Sequence, residues 1–375
     1  MAKSASPKTK KVKAKVIKQN IGVDISKDDF KICFYQLMDN QHRRIKASNS
    51  FKNNLAGFVG LMKWIEKKRD QEIEVHITIE ATGVYYEQLV YFLNDNGYKV
   101  SVVLPNKSKA YAASLNIKTK TDKIDAKMLG QMGLERNLEQ WQPISTKMRV
   151  LKQLTRDRVT MIDERTMLKN KLHALNHSHE PHPQAIKRMN QRIKLLEKQI
   201  EQADKQIEQT VNKDQIIKQH IDNICKTKGL GLVTVATVIA ETDGFNLITS
   251  RSQLVSYVGY DVVQKESGTS ISGKPRISKK GNRFIRRALY FPALSLVKHE
   301  PQFKQLYERI MSRTNIKMIA YVAVQRKALL LIYSLFKKNQ AYDPNFYKNT
   351  ENQSDKKEKE NIQICRQDAN PAYSG

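Results

Sequence analysis

The amino-acid sequence predicts an α/β domain, then a central α-helical hairpin, then a mostly helical C-terminal domain. Three observations predict this order. Residues 19–142 alternate short apolar runs with stretches of helical periodicity. Residues 145–212 lack any strand pattern and repeat apolar residues at heptad spacing. Residues 213–342 return to compact, mainly helical patterning around a Gly/Ser-rich insertion near 266–281.

The elements follow in chain order. Residues 1–18 carry seven lysines and no acid, which predicts a flexible basic arm. Strands are expected over 21–25, 30–35, 75–80 and 99–104, with helices over 55–67, 85–94 and 124–134. The short Ser26-Lys27-Asp28-Asp29 segment predicts a hairpin between the first two strands. The later strand–helix–strand pattern predicts a parallel crossover. Leu154, Met161, Leu168 and Leu175 recur every seven residues. Ile186, Met189, Ile193, Leu196, Ile200, Ala203 and Ile207 keep the same seam. The segment 177–183, His-Ser-His-Glu-Pro-His-Pro, breaks the pattern and should be the turn of an antiparallel hairpin or of a coiled coil pairing protomers. Its histidines His177, His179 and His182 are read as turn residues rather than metal ligands. Residues 343–375 turn polar, and 349–375 read as disordered.

The composition narrows the function. The 375 residues contain 66 lysines and arginines against 37 acids, a net charge of +29. Such an excess favours a polyanionic partner, nucleic acid or a membrane surface. No apolar run approaches the roughly 20 residues that cross a bilayer, and no signal-peptide core is evident, which favours nucleic acid. Cys33, Cys225 and Cys365 are few, odd in number and far apart, as expected in a reducing compartment without a disulfide framework.

Four acids carry the chemistry. Asp24 ends the apolar run Ile21-Gly22-Val23-Asp24, and Glu80 ends Val75-His76-Ile77-Thr78-Ile79-Glu80. Asp122 and Asp125 lie three apart where a helix begins, so one helical face holds both. Acids at strand ends repel one another unless a cation stands between them. Two Mg²⁺ ions cutting a phosphodiester satisfy that need. The order strand-Asp, strand-Glu, helix-Asp-x-x-Asp is that of the RNase H-like fold. The bland alternative for Asp122, following Thr121, is an N-cap.

These segments, with Ala81-Thr82-Gly83-Val84-Tyr85 and Lys120-Thr121-Asp122-Lys123-Ile124-Asp125-Ala126, closely resemble the DEDD transposases of insertion sequence 110 type. The resemblance runs over roughly residues 19–342. It implies a RuvC-like catalytic domain over 19–142 whose four acids are Asp24, Glu80, Asp122 and Asp125, binding Mg²⁺ (with Mn²⁺ able to substitute). It implies a helical hairpin over 143–212 and a C-terminal transposase domain over 213–342.

Two further stretches carry the likeness. Lys228-Gly229-Leu230-Gly231 has the Gly-x-Gly turn of a helix-hairpin-helix, which can turn backbone N–H groups toward DNA phosphate. The family has Pro where Lys228 stands, and an ordinary helix–helix turn is the alternative. The insertion and the residues after it bring Lys274, Arg276, Lys279, Lys280, Arg283, Arg286 and Arg287 together without an acid, a phosphate-binding surface. Ser267, Ser270, Ser272 and Ser278 are the serines here, and the residues alone leave the choice among them open. The resemblance implies that Ser267, after Glu266, is the nucleophile. A free serine is a poor nucleophile and no histidine lies nearby in sequence, so its activation falls to metals held by the first domain. Tyr290 after Arg286-Arg287 is read as a packed helix residue.

The resemblance therefore implies a site-specific transposase or recombinase of a bacterial insertion sequence, cytoplasmic and associated with the nucleoid. Donor and target DNA would be recognised through a structured guide RNA and exchanged through a phosphoserine intermediate. A homodimer would assemble to a tetramer on its substrate. The alternatives are a Mg²⁺-dependent junction resolvase or RNase H-type nuclease using water, and a non-catalytic nucleic-acid-binding protein.

Overall fold

The computed structural model describes residues 14–116, 121–246, 248–267 and 271–345. The chain divides into two compact units, 1–143 and 144–375.

The first unit opens with three strands, β1 (Val16–Ile25), β2 (Asp29–Met38) and β3 (Arg43–Lys52). Then come helix α1 (Leu55–Lys68), β4 (Val75–Glu80), α2 (Glu87–Asp95) and β5 (Lys99–Val103). Helices α3 (Pro105–Ser114) and α4 (Asp122–Glu135) close it. The sheet order is β3-β2-β1-β4-β5, with β1 antiparallel to β2 and parallel to β4. Both the expected hairpin and the expected parallel crossover are present. β1 starts at Val16, so the sheet takes up the last three residues assigned to the basic arm.

Strand periodicity sorts the residues of β1 and β4 onto two faces. Ile21, Val23, Ile25, Val75, Ile77 and Ile79 join Phe58, Leu61 and Ile65 of α1 and Leu89, Val90 and Leu93 of α2 in one core. The alternate residues Asn20, Gly22 and Asp24 face the other way, beneath α4. α4 lies against that face at backbone contact: a Cβ on Gly22 would stand 2.1 Å from the Ala126 carbonyl oxygen. Gly133 of the same helix sits over Asn20 and Thr78, whose side chains share a 3.1 Å hydrogen bond.

Two elements of this unit, one strand and one helix, were not expected from the sequence. β3 is largely exposed and rich in Arg, Lys, Ser and Asn, so it has no apolar alternation. The open edge of β2 recruits it through backbone hydrogen bonds, for which side-chain pattern matters little. α3, short and opened by Pro105, was also unexpected.

The second unit begins with the long helices α5 (Thr146–Asn176) and α6 (Pro183–Asn212). Next are α7 (Gln215–Cys225), α8 (Leu232–Glu241) and α9 (Arg251–Val258). Strands β6 (Val262–Ser267) and β7 (Ile271–Ile277) follow. The remaining helices are α10 (Arg283–Ala288), α11 (Tyr290–His299), α12 (Pro301–Thr314) and α13 (Lys317–Lys338). α5 and α6 run antiparallel, joined through the His-containing segment, with ion pairs Arg158–Asp204 and Lys169–Glu197 across them. Leu168, Ile193 and Leu196 of the heptad seam are buried there.

The open end of the hairpin shares its core with the helices that follow. Met148 and Leu151 from the start of α5 and Ile207 and Val211 from the end of α6 are buried in the same core as α7 to α13. The insertion near 266–281 is not a loop throughout, because β6 and β7 pair antiparallel. α13 is long and apolar enough to cross a membrane, a length the sequence was not expected to reach. Its Ala320, Val324, Ala328, Leu329 and Ile332 are buried in the protein.

Candidate active site

The tight seating of α4 fixes the geometry of the acids. Gly22 of β1 pairs with Thr78 of β4, and Val23 with Ile79. Asp24 and Glu80 are the next residues along these parallel strands, so both acids end adjacent strands on the face that α4 covers. α4 runs from Asp122 over this end toward Asn20 and Thr78 at its far end, as the glycine contacts and the Lys18 Nζ bond to the Leu134 carbonyl (2.8 Å) show. Its first turn carries Asp122 and Asp125. The N-cap is Thr121, whose hydroxyl accepts the Ile124 N–H, so Asp122 is the first helical residue and not the cap. Acids in a first turn also complement the helix dipole.

The four carboxylates form one electrostatic cluster. Burial, and then repulsion from Asp125, Asp122 and Glu80, pushes the Asp24 carboxyl up to about 6. Two companions partly balance the charge, and neither was read from the sequence. Lys31, paired with Asp24 across β1 and β2, bonds Asp122 through its ammonium. Ser108 of α3, 2% exposed, donates to Glu80 Oε2 at 2.6 Å. Lys31 could have been found as the cross-strand partner of Asp24; nothing in the local sequence marks Ser108. Among the described residues, no three acid, histidine or cysteine side chains stand close enough to ligate one ion. The expected convergence is thus of charge, not yet of ligand geometry.

In the second unit, Ser267 is the last residue of β6 and its backbone pairs with Ile271. The side chains of Ser267, Ser272 and Lys274, and all of Ser270, lie outside the described residues. Ser278 is placed clearly: its hydroxyl donates to Asp261 Oδ1 at 2.6 Å, and its N–H to the Asp261 carbonyl. It thereby clasps the two ends of the β6–β7 pair.

The basic residues split by environment. Arg276, Lys279, Lys280 and Arg283 are exposed. Arg287 is exposed and pairs with Asp163 of α5. Arg286 is half-buried and donates to the Val258 carbonyl at 2.6 Å. The Gly-x-Gly turn joins α7 to α8, with Gly229 at φ +105°. Its Lys228 N–H donates to Glu300 Oε1 at 3.2 Å, so that amide serves the protein's own carboxylate, while the Lys228 side chain is exposed.

Nothing in the sequence pattern marks a buried polar cluster in this unit. Glu241 of α8, with a side chain 0% exposed, accepts Arg156 bidentately at 2.6 and 2.9 Å. It also accepts the Asn282 amide at 2.7 Å. Asn282 in turn caps α10, accepting the Phe284 and Ile285 N–H groups. Three segments distant in sequence are tied together just beyond β7.

Comparison with known proteins shows the family. Residues 21–181 match a family model described as a transposase of the DEDD IS110 type. Residues 221–308 match the transposase family IS116/IS110/IS902. The chain is 30% identical over 335 residues to the pilin gene-inverting protein of Moraxella lacunata, covering 87% of this chain and 98% of that protein. The figures for the Moraxella bovis protein are the same. An IS110 insertion-element protein of Streptomyces coelicolor is 24% identical over 115 residues, 31% of this chain and 28% of that protein. Thermus thermophilus RuvC in complex with a Holliday junction aligns with 33% of this chain and 99% of its own, at 9% identity and a TM-score of 0.26. The chain belongs to the IS110/IS116/IS902 family of transposases, enzymes of DNA strand cleavage and transfer.

Proposed function

We propose that this protein is a site-specific DNA recombinase whose first unit is an RNase H/RuvC-like catalytic domain and whose second unit supplies a serine nucleophile. The observation that carries the reading is the placement of Asp24 and Glu80 at the ends of adjacent parallel strands, beneath a helix whose first turn holds Asp122 and Asp125. The strand order β3-β2-β1-β4-β5 supports it.

The donor set fits a hard divalent cation. Four carboxylates supply the oxygen ligands such ions prefer, and their mutual repulsion at Asp24 is what a cation relieves. Asp24, Glu80, Asp122 and Asp125 would hold Mg²⁺, or Mn²⁺ in its place, with Glu80 giving up Ser108 and Asp122 giving up Lys31. When bound, the metal supplies Lewis-acid stabilisation of charge on the phosphate oxygens.

In this reading the Ser267 hydroxyl oxygen forms a bond to phosphorus as one deoxyribose oxygen leaves. The proton lost by serine balances the one gained by the departing oxygen. Attack by a hydroxyl of the partner strand reverses the step, restores serine and rejoins the backbone without ATP. Exposed Arg276, Lys279, Lys280 and Arg283 bind the phosphates flanking this site. Recognition by a structured guide RNA, and a dimer that assembles to a tetramer with α5 and α6 pairing protomers as a coiled coil, complete the proposal.

The test is a labelled donor duplex incubated with the protein, RNA from the element's flanks and Mg²⁺, followed by denaturing gels. Label migrating with wild-type protein, and absent from Ser267→Ala and from Asp122→Ala, is the expected result. A free nick that survives Ser267→Ala but is lost in Asp122→Ala would replace the serine reading with a metal nuclease using water.

A further inference from the structure

Helices α10 and α11 expose a stripe of which the proposed chemistry uses only Arg283. Arg283, Arg287, Phe291, Leu294 and Lys298 follow one another at spacings of four, four, three and four, with Tyr290 beside Phe291, and all are exposed. Within α11 the run from Phe291 to Lys298 spans roughly 10 Å, and Arg283 and Arg287 extend it from α10. Its centre is unusual for a water-facing surface: Phe291 is 77% exposed and Tyr290 37%. The two rings meet edge to face with centroids 5.2 Å apart. Their presentation has a local cause. Pro292 has no N–H for the Ala288 carbonyl, and the helix breaks between Ala288 and Tyr290.

We infer that this stripe is a stacking platform for unpaired nucleotides, with bases on Tyr290 and Phe291 and the backbone phosphates on Arg283, Arg287 and Lys298. Every base has a face that stacks on an aromatic ring, whereas a duplex hides those faces and offers only its phosphates. The charge fits the same ligand. No acid occurs between Glu266 and Glu300, so the stripe answers its cations with none of its own. Asp163 from α5 pairs with Arg287, where a phosphate can take its place. The charge also argues against a second copy of the chain on this face. A two-fold contact sets each patch against itself, and here that would oppose arginine and lysine to arginine and lysine.

The inference rests on the recombinase reading, because strand exchange must pass through unpaired strands. Its test is binding alone. The full-length protein in EDTA, where no metal-dependent cleavage occurs, is titrated with a 2-aminopurine-labelled DNA oligonucleotide, the matching RNA and the blunt DNA duplex. Phe291→Ala should weaken single-strand binding roughly 5- to 100-fold and leave duplex binding unchanged, and Phe291→Trp should restore it. Arg283→Gln should weaken all three ligands and lower the salt slope by about one. The DNA and RNA arms show which strand the platform prefers.

Equal loss on duplex and single strand, or no loss on either, would overturn the inference. So would a dimer by light scattering that Phe291→Ala converts to monomer with binding intact; the surface would then belong to a second copy. A chain that cleaves DNA but shows no stacking contribution refutes this inference alone. One that stacks bases but never cleaves refutes only the recombinase reading.

Discussion

A Cβ on Gly22 of β1 would stand 2.1 Å from the amide nitrogen of Gly130 on α4. Strand and helix are therefore in backbone contact, and that contact brings the first turn of α4 down over the strand-end acids. Gly22→Ala should force the two apart, costing roughly 3 kcal/mol or more and removing DNA cleavage. Gly97→Ala is the control. Gly97 has a positive φ, 81°, which Gly22 does not, but its Cβ would meet nothing within 4 Å, so the cost should be only the left-handed strain of about 1–2 kcal/mol. Thermal unfolding and a cleavage assay on both variants check this; equal losses would refute the packing argument.

The acid cluster should destabilise the protein when no metal is bound. The Asp24 carboxyl titrates near 6 in the folded protein, above its ordinary 3.8. A raised carboxyl pKa means that stability is greatest below 3.8 and falls as pH rises through 6. In EDTA at pH 7.5, Asp24→Asn should therefore be more stable than wild type. The gap of about two units sets a ceiling near 3 kcal/mol, and partial exposure reduces the expected gain to roughly 1 kcal/mol. The gain should shrink toward zero by about pH 4. Unfolding midpoints at both pH values measure it, and an unchanged gain would exclude charge repulsion as its source.

Glu241→Gln should damage the second unit without touching the acids. It keeps the shape but leaves Arg156 without its carboxylate and weakens the hold on Asn282. Losing one partner of a buried pair costs about 3–5 kcal/mol, and somewhat less here because Arg156 reaches water. A fall of several degrees in the melting temperature is expected. Hydrogen exchange should rise most in α10, whose cap is Asn282. A variant as stable as wild type would show that the cluster is not what anchors this segment.

The legible part of the fold was the part written in apolar rhythm. Ile21, Val23, Ile77 and Ile79 alternate because one face of each strand is buried, and that alternation marked β1 and β4. α1, α2 and α4 were legible for the same reason at helical period. β3 was not, because an exposed edge strand needs only backbone bonding. β7 was hidden by its Ser272, Gly273 and Pro275, and β6 by having only two apolar residues; Ser278 and Asp261 bond at the outer end of the pair.

The site divides in the same way. Asp24, Glu80, Asp122 and Asp125 stood out because acids at the ends of buried runs are costly and need a reason. The charge of the segment after Ser267 was also plain in the sequence. Which of its cations face solvent was not: Arg286 and Arg287 are neighbours, yet one bonds the Val258 carbonyl and the other lies exposed. Tyr290, expected to pack, is exposed because Pro292 breaks the helix beside it.

Sequence alone determined the class of the first domain and the family, and singled out four acids that the fold brings into one electrostatic cluster, because burial period and charge are local properties of the chain. Tertiary structure alone decided that Lys31 and Ser108 hold two of those acids, that Glu300 takes the Lys228 amide, and that Glu241 gathers Arg156 and Asn282. Each is a contact between residues more than 25 positions apart, set by how helices and strands pack.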